Sequence, residues 1–325
     1  MENKKTLGKD RKPEWRQHLK PWFTLLSFLS LFWVGWILWE AWPQALSAMN
    51  HFDARWLALT LLGTTVYSYL VFEVFYLLFR QGIRAAYSKK ELSHLFFVAQ
   101  LMKHLPGRIW GIIYQASQTA QTSIGQWLSV NIAFMLLMMF FSVWIASVFL
   151  SYFLSTFWFI LVIVCGLAIY FCIWSNRTFK LFTRLLNRLT YKRAIQWLDT
   201  LEPYAVSSSS SKVKILLVAT TSWTFYYLAW GAFGHAWPDL NFLSGLQLCA
   251  LYTLAWFIGY LAFVFPSGVG VRELVFLYFA RDFPPEAIAA MIVFGRSILL
   301  IADVFLGVLF ITPKHIFLKN KIKGP

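Results

Sequence analysis

Long apolar stretches recur along the whole chain, and polar or charged residues collect between them. A helix needs about 20 mostly apolar residues to cross a hydrocarbon core of about 30 Å. The pattern therefore predicts complete spans near residues 22–39, 56–79, 127–149, 157–174, 213–235 and 287–311. Two further apolar stretches, near 93–120 and 243–281, are interrupted by Pro and Gly. The predicted fold is all-α: a polytopic integral membrane protein with about six full spans and two broken helical segments.

The breaks have distinct sequences. The first contains Pro106 and Gly107, and the second contains Pro266, Gly268 and Gly270. Proline disfavours helical backbone at the residue before it, and glycine accommodates a turn. Non-helical backbone at membrane depth is tolerated only where it is buried in protein or lines a polar cavity. Both segments are therefore predicted to be re-entrant hairpins; two kinked full spans are the alternative.

The order span, span, broken segment, span occurs twice, in residues 22–149 and again in residues 157–311. The first copy starts on one side of the membrane and the second starts on the other. The two halves are thus predicted to have inverted topology. Transporters are commonly built in this way, with the substrate site near the midplane where broken segments meet.

Lysine and arginine concentrate on one side of the predicted spans, in the tail 1–21, in the loop after the second span, in the central loop 176–212 and in the tail 312–325. Positively charged loops remain cytoplasmic, so both termini are predicted to be cytoplasmic. A single transmembrane domain then covers residues 22–311, and the spacing of apolar residues in the central loop predicts an amphipathic helix on the membrane surface. The predicted location is the cytoplasmic (inner) membrane of a bacterium.

Composition excludes several classes of protein. Hydrophobic residues make up 59% of the chain and charged residues only 13%, unlike an ordinary soluble domain. The net charge of +15 then favours contact with anionic inner-leaflet lipid, and no nucleic-acid partner is predicted. There is no HExxH, Cys/His cluster, P-loop or Gly-x-Ser-x-Gly motif. The chain is therefore not expected to be an enzyme, and no catalytic residue, metal or cofactor is predicted.

Ionisable residues inside the predicted membrane region are few, and such residues usually mark the protein interior or a site. They are the basic residues Lys103, Arg108, Arg272 and Arg296 and the acidic residues Glu73, Glu273 and Asp303. Arg296 and Asp303 are two helical turns apart and share a helix face. We expect these two either to bracket a cavity or to pair with Glu73 and Arg272, respectively. Glu73 and Asp303 are candidates for an ion pair or for carrying a proton.

The basic excess predicts an anionic ligand. Arg108 and Arg272 each adjoin a helix break, where backbone N–H groups are unpaired, and the guanidinium fork matches phosphate. We predict that these two arginines form a headgroup site in which Glu273 orients Arg272, with further contacts from Arg296 and Lys103. The alternative is a set of structural ion pairs that tie the two halves together.

Three sequence patches resemble a known family: Leu-Pro-Gly-Arg-Ile-Trp-Gly at 105–111, Pro-Ser-Gly-Val-Gly-Val-Arg-Glu at 266–273, and Arg296 preceding Gly307. The chain resembles, over about residues 95 to 310, the flippase-like family named for the transmembrane region of lysylphosphatidylglycerol synthases. The resemblance implies movement of lipids between leaflets, aminoacylated phospholipids in some members and lipid-linked saccharides in others. The synthase's cytosolic aminoacyltransferase domain has no counterpart here, so synthase activity is not expected. The family resemblance also implies an acidic residue where this chain has the sequence Ser-Val-Asn at 129–131, so an acidic role there is not expected.

The predicted function is therefore a lipid translocase for a phospholipid or another lipid with an anionic or zwitterionic headgroup. One alternative is a flippase for an undecaprenyl-phosphate-linked sugar or for undecaprenyl phosphate. Another is a non-transporting scaffold that docks envelope-lipid enzymes on its basic face. The predicted partners are membrane lipids, either anionic phospholipid or polyprenyl-phosphate lipid, and a second copy of the chain or an envelope-biosynthesis enzyme.

Overall fold

The computed structural model describes residues 53–83, 85–103, 110–119, 122–173, 175, 208–237, 240–261 and 271–310, together with Trp36 and Trp39. Within this part of the chain every regular element is an α-helix, and it contains no strand. In chain order the helices are α1 (Ala54–Gly82), α2 (Lys89–Met102), α3 (Trp110–Gln118), α4 (Ile124–Tyr152), α5 (Thr156–Ile173), α6 (Ser209–Gly234), α7 (Phe242–Leu261), α8 (Val271–Phe279) and α9 (Pro285–Leu309). The all-α prediction is confirmed for these residues.

Four of the described helices are long and apolar enough to cross a membrane: α1, α4, α7 and α9. They agree with a membrane protein and with three of the predicted spans, at 56–79, 127–149 and 287–311. The spans predicted at 157–174 and 213–235 are helices too, but α5 is shorter, and α6 is less apolar because it carries many Thr, Tyr and Trp residues. The span predicted at 22–39, the amphipathic helix of the central loop and both tails lie outside the described residues.

Serine side chains fix where several helices begin. Ser88 and Ser123 each accept a hydrogen bond from a backbone N–H three residues later, and a Glu or Gln at that position accepts one in return. This reciprocal capping satisfies N–H groups that have no acceptor within the helix. Ser208 caps α6 through its side chain in the same position. The helix starts are thus determined locally, by residues just outside each apolar stretch.

The two helices of each broken segment fold back on each other. In the first pair, a Cβ placed on Gly111 of α3 would lie 3.0 Å from the carbonyl oxygen of Ala99 in α2. The Tyr114 hydroxyl lies 3.0 Å from Nε2 of His94, farther along the same pair. Because successive contacts run in opposite directions along the two helices, α2 and α3 are antiparallel.

The second pair repeats this arrangement. A Cβ on Gly259 of α7 would lie 2.9 Å from the Cβ of Arg272 in α8, and the rings of Tyr252 and Phe276 are 5.2 Å apart. The helices α7 and α8 are therefore antiparallel as well. The predicted break residues of both segments (Pro106, Gly107, Pro266, Gly268 and Gly270) lie outside the described residues.

Each long helix that follows a hairpin packs on the other hairpin. The helix α9 contacts α2, and α4 contacts α7, while α1 and α6 pack against each other. The Thr60 hydroxyl of α1 donates a hydrogen bond of 3.0 Å to the Ala229 carbonyl of α6. The helices after the two breaks are also spaced alike along the chain. The same number of residues separates Trp110 from Val271, where α3 and α8 begin, and Ile124 from Pro285, where α4 and α9 begin.

Candidate functional site

A cluster of three charged side chains joins α8 to α9. Arg272 donates hydrogen bonds to Oε1 of Glu273 through Nε at 3.1 Å and through Nη2 at 2.9 Å. Arg296 donates to the same oxygen through Nη2 at 2.5 Å. One carboxylate oxygen is therefore shared by two guanidinium groups, as charge-assisted hydrogen bonds allow.

The cluster is largely removed from solvent and carries an excess charge. The side chains of Arg272, Glu273 and Arg296 keep 11%, 19% and 17% of their surface exposed. Charges in such surroundings are costly unless they are paired. Two cations share one anion here, so the three side chains together keep one positive charge. An anionic group that reached the cluster would be stabilised by that charge.

Residues of α7 and α9 hold the cluster in place. The Tyr252 ring lies under the Arg272 guanidinium, with 5.0 Å between the guanidinium carbon and the ring centroid. This is a cation–π contact. Gly259 allows the backbone of α8 to approach closely at Arg272, and Gly295, next to Arg296, allows the Tyr252 ring to approach α9. The two glycines thus let Arg272 lie close to α7 and Tyr252 lie close to α9.

A second ion pair joins the first hairpin to α9. Nζ of Lys103, at the end of α2, lies 2.7 Å from Oδ2 of Asp303. Asp303 keeps 4% of its side chain exposed, whereas Lys103 keeps 46%. A third pair links α1 to the start of α2, where Nζ of Lys89 lies 2.6 Å from Oε1 of Glu73. This hydrogen bond raises the pKa of the Lys89 ammonium above its ordinary value.

Of the two expectations for Arg296 and Asp303, the pairing with Glu73 and Arg272 is wrong, and the bracketed cavity stays a prediction. Arg296 pairs with Glu273 and not with Glu73, and Asp303 pairs with Lys103 and not with Arg272. The shared face of α9 was correctly assigned, but a helical repeat does not tell which neighbouring helix that face meets. Glu73 lies near the end of α1 and meets the first residue of α2, a contact too local for the span pattern to indicate.

The structure brings three of the predicted site residues together, namely Arg272, Glu273 and Arg296. Lys103 lies in a separate pair with Asp303. Arg108, the predicted second half of the headgroup site, lies outside the described residues. The predicted convergence of Arg108 and Arg272 on one ligand therefore stays a prediction.

The first hairpin has an uncharged connection at a comparable place. Nδ2 of Asn131 in α4 donates to Oε1 of Gln115 in α3 at 2.8 Å and to the Trp127 carbonyl at 2.7 Å. A hydrogen-bonded amide pair thus joins α3 to α4, where the second hairpin uses Glu273 and Arg296 to join α8 to α9. Asn131 belongs to the Ser-Val-Asn sequence from which no acidic role was expected.

Sequence reasoning missed Tyr252 and Lys89. Tyr252 lies in an apolar helix whose aromatic residues are indistinguishable from core residues by pattern, so no signal could have identified it. Lys89 belongs to a basic group that the sequence predicts to be cytoplasmic, and its position 16 residues after Glu73 suggests no pairing. In the described part of the chain no three His, Cys, Asp or Glu side chains lie together in a way that could hold a metal ion.

The charged cluster, its aromatic support and the second ion pair are the features from which function can be inferred. No family model, no curated protein and no solved structure matches this chain.

Proposed function

We propose that this protein is a lipid translocase that moves an anionic or zwitterionic headgroup between leaflets while the acyl or prenyl chains remain in lipid. The observation that carries the proposal is the sharing of the Glu273 carboxylate by Arg272 and Arg296. It leaves one positive charge in a largely buried place, at the first turn of α8. The positive end of that helix adds to the attraction for an anion.

The arrangement of the hairpins supports the hypothesis that the protein is a transporter. Helix pairs that fold back beside a Pro/Gly break are expected where a polar path crosses the membrane, because the backbone groups freed at the break need polar surroundings. The register shared by 110–152 and 271–309 supports two halves of inverted topology, with re-entrant hairpins entering from opposite faces. A headgroup would then meet the charged cluster between the halves.

The substrate class follows from the charge and from the resemblance. A phospholipid phosphate carries the negative charge that the cluster lacks, and arginine binds phosphate through its planar fork. The motifs at 105–111 and 266–273 are similar to those of the flippase region of lysylphosphatidylglycerol synthases. Movement of an undecaprenyl-linked substrate is the second transport hypothesis, since such a substrate also presents a phosphate.

A transport assay on a charge variant tests the proposal. Arg272→Gln removes the excess charge and leaves Glu273 paired with Arg296, so the protein should still fold. In proteoliposomes we expect the wild type to move fluorescent phosphatidylglycerol between leaflets. We expect Arg272→Gln to slow this movement by about ten- to a hundredfold, the value of one charge-assisted hydrogen bond. Arg272→Lys should restore part of the rate, because it keeps the charge but loses the fork.

The matched control is Arg281→Gln, which removes a charge from an exposed side chain near the end of the same hairpin. It should transport at the wild-type rate. Monodisperse Arg272→Gln protein with unchanged transport would contradict the proposal. Absence of transport by the wild type, together with a stably bound cytoplasmic enzyme in native mass spectrometry, would favour the scaffold function.

A further inference from the structure

The hydroxyl of Tyr252 is buried without a hydrogen-bond partner. Tyr252 keeps only 2% of its surface exposed, and within the described residues its hydroxyl oxygen meets no donor or acceptor. Tyrosine hydroxyls usually find a partner when they are buried. A polar group left unsatisfied in the interior destabilises the fold. A ligand that binds the hydroxyl during part of the working cycle would explain why this destabilising group is kept.

A second unpaired donor lies at the same place. Nε of Arg296 is buried and, in the part of the chain that the structure describes, has no acceptor, although Nη2 of the same side chain binds Glu273. A Cβ placed on the neighbouring Gly295 would lie 2.7 Å from the Tyr252 hydroxyl, so the tyrosine tip lies directly against α9 beside Arg296. The same tyrosine ring lies under the Arg272 guanidinium, so Tyr252 is next to both arginines of the cluster.

Both orphaned groups are therefore donors, and they lie beside a cluster with one excess positive charge. Donors of this kind, an O–H and a guanidinium N–H, bind oxyanions. A bound water would satisfy the hydroxyl but would not offset the charge. A ligand with negatively charged oxygens would do both.

We infer that Tyr252 and Arg296 form an oxyanion subsite, in which the Tyr252 hydroxyl and the Arg296 Nε donate to the oxygens of a bound phosphate. This inference rests on the proposed function, because it specifies how the headgroup site binds its anion. Tyr252 acts in two ways: its ring supports Arg272, and its hydroxyl contacts the ligand. The unsatisfied hydroxyl is the stability cost of keeping the site ready for an anion.

The test uses the sign of two effects in one variant. Tyr252→Phe removes only the hydroxyl and keeps the ring under Arg272. We expect its Tm without ligand to equal or exceed that of the wild type, because an unsatisfied buried group is lost. We expect its affinity for dihexanoylphosphatidylglycerol, measured by titration calorimetry in detergent, to fall about tenfold, as for one charge-assisted hydrogen bond.

Tyr170→Phe is the matched control. Tyr170 is buried to the same degree, but its hydroxyl donates a hydrogen bond of 2.7 Å to the Lys212 carbonyl. Its removal should lower Tm and leave the affinity unchanged. A second variant, Arg296→Lys, keeps the charge and loses Nε, and it should weaken binding even if the tyrosine variant folds poorly.

Titrations with inorganic phosphate, and with dihexanoylphosphatidylcholine as a zwitterionic lipid, distinguish a lipid headgroup from a soluble anion as the ligand. Binding of the anionic lipid much more tightly than free phosphate, with both weakened in Tyr252→Phe, supports a headgroup subsite. If free phosphate binds as tightly as the anionic lipid, the subsite is supported, but its ligand is a soluble anion, which contradicts the proposed lipid translocase. Wild-type affinity in both Tyr252→Phe and Arg296→Lys would overturn the inference, as would a wild type that binds neither anion. A wild type that binds the anionic lipid but does not transport it would contradict the proposed function and leave the subsite standing.

Discussion

Asp303 and Lys103 form a pair in which the two partners have different access to solvent. The carboxylate is almost fully buried, and the ammonium is nearly half exposed. Breaking a pair leaves the remaining charge in its own surroundings, so the cost depends on which partner remains. An isolated Lys103 can still reach polar surroundings, but an Asp303 without Lys103 remains in the interior.

This asymmetry predicts unequal effects of two similar variants. Lys103→Met should lower the free energy of unfolding by about 1–3 kcal/mol more than Asp303→Asn, because it leaves a buried carboxylate without its ammonium partner. Thermal denaturation of the two variants in the same detergent measures the difference. The double variant should recover part of the loss. Equal Tm values for the two single variants would contradict the buried position of Asp303.

At this scale the sequence predicted which charges matter better than it predicted their partners. Arg272, Glu273 and Arg296 stood out because charges are scarce in apolar stretches, and they form one cluster. Tyr252 was not predicted, because an aromatic residue in an apolar helix carries no mark of its contacts. Cys249 is buried, whereas Cys165 and Cys172 are exposed on α5. The sequence could not distinguish the three cysteines, because a helix that is apolar on all sides gives no indication of its inward face.

The second hairpin depends on a close approach of two helices. At Gly259 a Cβ would lie 2.9 Å from the Cβ of Arg272, which is closer than real Cβ contacts occur. The backbones of α7 and α8 can meet at this distance only because residue 259 has no side chain. Small residues play the same part wherever membrane helices pack tightly.

Gly259→Ala should therefore destabilise the hairpin, by about 1–3 kcal/mol if the helices move apart to accept the methyl group. The matched control is Gly125→Ala in α4, where the nearest atom to the new Cβ would be the Ser123 hydroxyl at 3.8 Å. That change should cost nothing and gain up to about 1 kcal/mol, because alanine favours the helix. Thermal denaturation of both variants tests the pair. A Gly259→Ala protein as stable as the wild type would contradict the close approach.

At the scale of elements, apolar length predicted most of the described helices but not the residues at which they begin. The boundaries at Ser88 and Ser123 are local, so they can be read from neighbouring residues. The packing of α9 on α2 and of α4 on α7 could not be predicted, because each contact joins residues far apart in the chain. That missing information is also why the partners of Arg296 and Asp303 were assigned wrongly.

On the scale of the whole molecule, the equal spacing of α3 with α8 and of α4 with α9 supports a duplicated plan. The inverted-topology hypothesis gives each loop a side of the membrane. It predicts that a single cysteine at Ser47 or Asp239 reacts with an impermeant thiol reagent from outside. Cysteines at Lys5, Ser209 and Lys321 should react only after the membrane is opened. Labelling of Ser209 in intact cells would contradict the two-half arrangement.

The labelling has to be done in a chain whose native cysteines are replaced by alanine. Without Cys165, Cys172 and Cys249, every signal comes from the introduced cysteine. The three replacements without an added cysteine provide the control, and they should give no labelling on either side. Under the proposed function, retained lipid transport in this background shows that the protein is still correctly assembled.

The position of α9 has a consequence for how the protein is made. This last described helix supplies Arg296 to the second hairpin and Asp303 to the first, so both hairpins contain charges whose partner is synthesised after them. While the ribosome is still producing the residues before 285, Glu273 has its neighbour Arg272 but not yet Arg296, and Lys103 does not yet have the carboxylate of Asp303. Both hairpins therefore lack the charges that α9 supplies until this helix has been synthesised.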